Sequence, residues 1–158
     1  MKKIKNIGLL LFLILSTLSF SYQVNYDDVV DIVLRNYPQS RVTKIEISNY
    51  KGKAIYEGET FNKGQKIEFI IDVNTGEVYK MDPNYDDEYN PSYNLPITFE
   101  QASKIALDNS FNGRVKSIEL KNIDKKAYYT VEVKEDKSEK EINIDANSGK
   151  ILTIKESI

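Results

Sequence analysis

The feature that most constrains the fold of this chain is an internal repeat that keeps one register over most of its length. Many residues of the first half match the residue 73 positions further on, either in identity or in apolar character, and no gap is needed. The matched residues include Val42 and Val115, Ile45 and Ile118, Glu46 and Glu119, Tyr56 and Tyr129, and the segments 71–76 and 144–149. Scattered coincidences would not hold one register for so long, so the sequence indicates a duplication of one small unit.

Each copy begins with a pattern typical of an amphipathic helix. In the first copy, apolar residues recur at helical spacing after Asn25, a favourable N-cap, and Pro38 ends the helix. In the second copy, Thr98 and Gln101 have the spacing of a capping box, and Gly113 lies where a helix stop is expected.

Strand patterns follow each helix and are separated by polar turn residues. The predicted strands are 42–48, 54–61, 67–73 and 78–81 in the first copy, and 115–121, 127–134, 142–146 and 151–154 in the second. Each copy therefore reads as an α-β-β-β(β) module in which one helix packs on a small antiparallel sheet. The predicted fold class is α+β, with two such modules in tandem.

The first 21 residues have the layout of a secretory signal peptide. Lys2, Lys3 and Lys5 precede an apolar run over 7–15, and the small residues Ser19 and Ser21 follow. This layout predicts cleavage after Ser21, with an uncleaved N-terminal anchor as the alternative. We expect a secreted protein, or one of the periplasm or cell envelope, with no stable membrane insertion after cleavage.

These patterns divide the chain into four parts. Residues 1–21 are the signal peptide, 22–82 the first module, 83–96 a linker rich in proline and acid, and 97–158 the second module. Because a unit of about 60 residues is marginal for independent stability, we expect some contact between the modules.

The composition excludes several kinds of chemistry. The chain has no Cys and no His, which removes disulfides, thiol nucleophiles, a lipid anchor on cysteine, a Ser-His-Asp triad and imidazole-bound metals. The formal net charge is -2 and lysines are interspersed with glutamates, so the sequence does not show the basic stripe typical of nucleic-acid binders. We therefore assign no catalytic, cofactor-binding or metal-binding residue, and expect neither enzyme activity nor a cofactor.

The repeated segments 70–78 and 143–151 resemble the C-terminal hallmark of PepSY domains. The preceding order of a helix, a Val-x-x-Ile-Glu strand and a Tyr-containing strand is also similar, and the resemblance covers nearly the whole chain after residue 21, twice. PepSY domains occur in propeptides of secreted metallopeptidases and in small exported proteins. The resemblance implies non-catalytic roles, namely peptidase inhibition, regulation of extracytoplasmic proteins, or binding in the envelope.

The residues of this motif also have a structural explanation. Gly76 and Gly149 can adopt a positive φ at a tight turn, Asn74 and Asn147 tolerate turn geometry, and Asp72 and Asp145 can accept turn N–H bonds. The triplets 74–76 and 147–149 are similar to that of aspartic proteases, but asparagine replaces the needed aspartate in both copies, so no acid–base dyad forms there. The turn interpretation is favoured.

Three further groups of residues are candidates for function. A group of oxygen-bearing side chains of the kind that binds calcium lies at Asp82, Asn84, Asp86, Asp87 and Glu88. Their spacing is not that of an EF-hand, so a solvated acidic linker is favoured over a calcium site. Tyr85, Tyr89 and Tyr93 lie among those acids and suit either a binding surface or packing on the modules. Glu59 and Glu132 occupy matching positions, so one hypothesis is a carboxylate pair across the two copies. The alternative, that both are exposed strand residues, is favoured.

The leading hypothesis is a protein-binding module that modulates or inhibits an extracytoplasmic protein, so the expected partner is another exported protein such as a peptidase. A structural or small-ligand-binding envelope protein, using the groove between the modules, is the alternative. A carboxylate hydrolase such as a glycosidase is least supported, since no acid pair lies in an apolar run.

Overall fold

Two helices and eight strands make up the part of the chain that the computed structural model describes, which is residues 23–84, 95–123 and 126–158. The first copy contains α1 (Tyr26–Asn36), β1 (Arg41–Tyr50), β2 (Lys53–Asn62), β3 (Gln65–Asp72) and β4 (Val78–Asn84). The second contains α2 (Phe99–Asp108), β5 (Arg114–Ile123), β6 (Lys126–Lys134), β7 (Glu139–Asp145) and β8 (Ile151–Ser157). The predicted signal peptide and most of the predicted linker lie outside the described residues, although β4 includes Pro83 and Asn84.

Both helices begin at the predicted N-caps. The Asn25 side chain accepts the Asp28 N–H at 2.9 Å, and the Asp28 carboxylate accepts the Asn25 N–H at 2.9 Å. Thr98 and Gln101 exchange the same two bonds at 3.2 and 3.0 Å. Each pair satisfies two N–H groups that a helix leaves without a partner in its first turn, so both caps are confirmed.

The predicted helix stop at Gly113 is wrong. Helix α2 ends at Asp108, and the left-handed backbone of the following loop falls on Asn112, with φ 51°. Asparagine tolerates this region better than most residues, which explains how it takes the place expected for glycine.

The strands form one continuous antiparallel sheet, in the order β4-β3-β2-β1-β5-β6-β7-β8. The expectation of a separate small sheet in each module is therefore wrong. The halves join through β1 and β5, where Lys44 lies opposite Glu119, Ile45 opposite Ile118, and Glu46 opposite Ser117. This pairing satisfies backbone groups that each isolated sheet would leave open along its first strand.

The join has two-fold pseudosymmetry. Ile118 is the residue that the 73-residue offset matches to Ile45, and the two lie directly opposite each other. The offset likewise exchanges the pair Lys44 and Glu119 with the pair Ser117 and Glu46. The axis therefore passes between Ile45 and Ile118, and the strand order reads the same from either edge, as in an isologous dimer interface.

Both helices cover the same face of this sheet. Val29 and Val33 of α1, Ala102 and Ala106 of α2, and the axial pair of isoleucines belong to one buried apolar cluster. The opposite face, called the outer face below, is polar because polar side chains alternate with the buried ones along the strands.

Four strands each contain one extra residue that bulges from the ladder. The bulged residues occupy matching positions of the repeat in pairs, Thr43 with Lys116 and Tyr79 with Leu152. A bulge bends its strand and increases the local twist. No helix of the described ranges is long and apolar enough to cross a membrane.

Candidate functional site

The repeated motif forms the same tight turn in both copies. In the first copy, the Asp72 carboxylate accepts the N–H groups of Asn74 at 2.8 Å and Thr75 at 3.0 Å, and the Gly76 N–H donates to the Asp72 carbonyl at 3.0 Å. Gly76 has φ 71°. The glycine and aspartate thus serve the turn, as the sequence predicts.

The second copy repeats this arrangement around Asp145. Its carboxylate accepts the N–H groups of Asn147 at 3.0 Å and Ser148 at 2.8 Å, and also the Ser148 hydroxyl at 2.9 Å. The bonds from Ser148 hold the pKa of Asp145 below its ordinary value, because they stabilise the ionised form. Gly149 has φ 72°.

The first turn has a side-chain contact that the second turn lacks. In the first copy, the hydroxyl of the bulged Tyr79 donates a hydrogen bond to the second carboxylate oxygen of Asp72 at 2.7 Å. The same hydroxyl accepts a hydrogen bond from the Lys53 ammonium at 2.9 Å. This hydroxyl is the main cause of a lowered Asp72 pKa, with the Asn74 N–H next. The matching residue of the second copy is Leu152, which has no hydroxyl.

A buried tyrosine in each copy fixes the chain before its helix. Tyr56 donates its hydroxyl hydrogen to the Val24 carbonyl, and Tyr129 donates to the Ile97 carbonyl, both at 2.8 Å. Burial raises the pKa of Tyr129, because the phenolate would lose solvation there. The repeated tyrosines are therefore structural donors, and the raised pKa of Tyr129 keeps its hydroxyl protonated.

The N-termini of the helices exchange carboxylates across the pseudo-two-fold axis. Asp27 of α1 accepts the Glu100 N–H at 3.2 Å and the Thr98 hydroxyl at 2.9 Å. In return, Glu100 of α2 accepts the Tyr26 N–H at 3.4 Å. Each acid thus binds the positive end of the other copy's helix and couples the two modules.

Glu59 and Glu132 do not form a pair. Both lie on the outer face, and Glu59 is 3.8 Å from Lys66 while Glu132 is 3.6 Å from Lys116. Their strands, β2 and β6, are separated by β1 and β5, so three strand spacings, about 14 Å across the sheet, lie between the two positions. Both are half-buried strand residues with lysine partners, so the interpretation as strand residues is correct and the carboxylate pair is wrong.

The proposed calcium ligands are only partly described. Asp82 is exposed on β4, Asn84 ends that strand, and Asp86, Asp87 and Glu88 lie outside the described residues, as do Tyr85, Tyr89 and Tyr93. Within residues 23–84, 95–123 and 126–158, no cluster of three or more acids has an arrangement that could hold a metal ion.

Two open grooves lie on the helix face where the copies meet, and the repeat relates their walls. Groove A, of ≈510 Å³, runs between α1 with the start of β1 and the second copy's Leu95, Ile97 and Leu120. Groove B, of ≈860 Å³, runs between α2 with the start of β5 and the first copy's Ile47 and Tyr56. Sequence reasoning placed a groove between the modules, but the existence of two follows only from the two-fold arrangement.

The grooves differ in charge. Groove A contains two acids and one arginine, Asp27, Asp31 and Arg41. Groove B contains three basic residues and one acid, Arg114, Lys116, Lys134 and Glu139. Equivalent sites in the two copies have therefore become chemically distinct.

One solved structure shows the same fold. The crystal structure of a candidate lipoprotein from Clostridium difficile 630 aligns with 88% of this chain and 97% of its own, at a TM-score of 0.64 and 24% identity. The Bacillus megaterium YpeB C-terminal domain aligns with 87% of this chain and 67% of its own, at a TM-score of 0.35 and 12% identity. None of the curated proteins matches the chain significantly.

A family model described as "Peptidase propeptide and YPEB domain" matches the chain twice, over residues 23–82 and 96–155. The two matches begin and end 73 residues apart, which is the offset of the internal repeat. Both contain the turn motif, the structural tyrosine and the capped helix described above. The chain therefore belongs to the PepSY family and carries one PepSY unit in each half of its repeat.

Proposed function

We propose that the chain is a non-catalytic, exported protein-binding protein that modulates or inhibits an extracytoplasmic protein such as a secreted peptidase. The observation that carries this proposal is the double match to a family described by its occurrence in peptidase propeptides. Since the two PepSY units account for most of the described residues, we propose that they act on a separate polypeptide. The signal peptide predicted over 1–21 supports action outside the cytoplasm.

The ionisable groups support a role without catalysis. In the described part of the chain, three carboxylates have a shifted pKa, namely Asp72, Glu135 and Asp145, and all three pKa values are lowered. For Glu135 the causes are the Lys140 ammonium at 2.9 Å and the Phe111 N–H at 2.8 Å. A carboxylic acid that donates protons near neutral pH needs a raised pKa, so these groups suit structure rather than acid catalysis.

The proposal is tested with the chain from Tyr22 onward and the secreted peptidases of its own host. We expect it to lower the initial rate of peptide hydrolysis saturably, with a dissociation constant in the range of roughly micromolar or tighter. Electrophoresis should recover the chain intact, which separates inhibition from competition by a second substrate. An unchanged peptidase rate, together with hydrolysis of peptide or glycan substrates by the purified chain alone, would refute the proposal.

A small-ligand-binding function is the second candidate, and groove A is the observation that favours it. Its walls include Val30, Leu34, Leu95, Ile97 and Leu120, an apolar surface with a few charged groups, as is common in ligand sites. The repeat supplies a matched control, because Leu34 in groove A corresponds to Leu107 in groove B.

The two functions separate in one comparison. If groove A binds an apolar ligand, Leu34→Arg should abolish binding of a fluorescent apolar probe, whereas Leu107→Arg should retain it. If neither variant changes probe binding while the chain still inhibits a peptidase, the small-ligand function is excluded.

A further inference from the structure

The two edges of the sheet are matching strands of the repeat, yet only one of them is closed. The edge strand β4 of the first copy corresponds residue by residue to the edge strand β8 of the second. Each contains a bulged residue, Tyr79 or Leu152, followed by a polar residue, an apolar residue and a charged residue. The residues that differ between the two strands therefore show which edge can pair with a further strand.

Edge β4 has three features that oppose pairing. Tyr79 is held down by its hydrogen bonds to Asp72 and Lys53. Met81 is partly buried against the core. Pro83 lies two residues further on and has no N–H to donate to a neighbouring strand, and proline on an edge is a known protection against pairing.

Edge β8 lacks each of these features. Leu152 replaces the tyrosine and is 50% exposed, and Ile154 replaces the methionine and is 46% exposed. Glu156 stands where β4 has proline, so the backbone of β8 keeps its donor at that position. The result is an edge that exposes two apolar side chains among polar ones and has a backbone able to pair with another strand.

The order of residues on β8 is also the order found at the centre of the sheet. In β1 the bulged Thr43 precedes Lys44, Ile45 and Glu46, and in β5 the bulged Lys116 precedes Ser117, Ile118 and Glu119. These two triplets pair antiparallel about their isoleucines. In β8 the bulged Leu152 precedes Thr153, Ile154 and Lys155 in the same arrangement. Edge β4 has this order too, but Tyr79 and Pro83 close it to a further strand.

We propose that β8 pairs antiparallel with β8 of a second copy of this chain, about a two-fold axis at Ile154. Ile154 would then lie opposite Ile154 of the other copy on the helix face, as Ile45 lies opposite Ile118. On the outer face, Thr153 would lie opposite Lys155 of the other copy, and Lys155 would lie opposite Thr153 of the other copy.

Charge and symmetry select this register. A two-fold axis perpendicular to the sheet must pass through a residue pair, because residues that face each other lie on the same side of the sheet. Centring the pair on Lys155 would place two lysines opposite each other, which is unfavourable. Centring it on Thr153 would bring Ile154 opposite the bulged Leu152, where the ladder is interrupted.

The pairing involves only one short strand from each copy, so the interface is small and the association weak. Sedimentation equilibrium of the chain from Tyr22 onward should give a reversible monomer–dimer equilibrium in the range of roughly micromolar to millimolar protein. This self-association stands apart from the proposed action on a peptidase, and each can fail without the other. A constant monomer mass throughout that range would overturn the proposal.

Two substitutions at one exposed residue test the register. Thr153→Glu places a carboxylate opposite Lys155 of the other copy at two symmetric contacts, and should tighten the dimer about fivefold, whereas Thr153→Lys should loosen it about fivefold. Both variants lose the same hydrogen bond from Asn143 to the Thr153 hydroxyl, so any common effect on folding cancels in their comparison.

The matched control is Lys80→Glu, at the corresponding position of β4, which should leave the dissociation constant unchanged. Shifts of both Thr153 variants in the same direction would overturn the register. A shift with Lys80→Glu would overturn the choice of edge.

Discussion

Replacing the turn glycine of either copy by alanine should lower the free energy of unfolding by about 2 kcal/mol. Gly76 and Gly149 have φ values of 71° and 72°, a region that costs a residue with a side chain about 1 kcal/mol. A Cβ at Gly76 would also lie 3.1 Å from Cδ1 of Ile32, and one at Gly149 would lie 3.2 Å from Cδ1 of Ile105. Displacing those tightly packed methyl groups adds about 1 kcal/mol.

Urea denaturation followed by circular dichroism measures this cost, and a third glycine separates its two parts. Gly64 has φ 83°, but a Cβ added there would have no other atom within 4 Å, so Gly64→Ala should cost only the backbone share of about 1 kcal/mol. Combining Gly76→Ala with Ile32→Val removes the crowded Cδ1 and should recover about 1 kcal/mol of coupling energy. A cost for Gly76→Ala no larger than that for Gly64→Ala, with no coupling to Ile32, would refute the proposed contact between turn and helix.

Two further predictions concern carboxylates. Because the pKa values of Asp72 and Asp145 are lowered in the folded state, their contribution to stability should be fully present above about pH 4 and lost as the pH falls through the lowered values. The double variant Asp72→Asn/Asp145→Asn should flatten that acid decline in urea midpoints measured from about pH 2 to pH 6, and an unchanged decline would contradict the assignment. Asp27→Ala and Glu100→Ala should each cost about 1 kcal/mol by removing a bond to the other copy's helix N-terminus, as measured by the same urea denaturation. An equal loss with Asp31→Ala, an exposed acid on the same helix as Asp27, would show that the effect is not specific to this contact.

The local parts of the fold could be predicted because their causes are local. The caps at Asn25 and Thr98 follow from side chains that bond N–H groups three residues away, and the turns at Gly76 and Gly149 follow from a backbone angle that few residues tolerate. Each of these signals lies within a few residues of the feature it specifies.

The central pairing of β1 with β5 could not be predicted in the same way. The alternation of buried and polar residues around Ile45 is the same whether or not the strand has a second neighbour, because pairing uses backbone groups that every sequence provides. The hydrogen bond from Thr98 to Asp27 depends on this topology, because it joins the two copies. The hydrogen bond from Tyr79 to Asp72 depends on the bulge at Tyr79. Asn112 shows a different limit, since two neighbouring residues, Asn112 and Gly113, both tolerate the left-handed region, and the sequence does not distinguish between them.

The two-fold axis at Ile45 and Ile118 has a consequence for how this protein could change over evolution. Two identical chains joined across such an axis would experience every substitution twice, once on each side. A single chain with both halves covalently joined is free of that restriction, so one half can gain a residue while the other keeps the original or loses it. The closed edge with Tyr79 and Pro83, the open edge with Leu152 and Glu156, and the opposite charges of the grooves are all differences that an identical pair could not acquire.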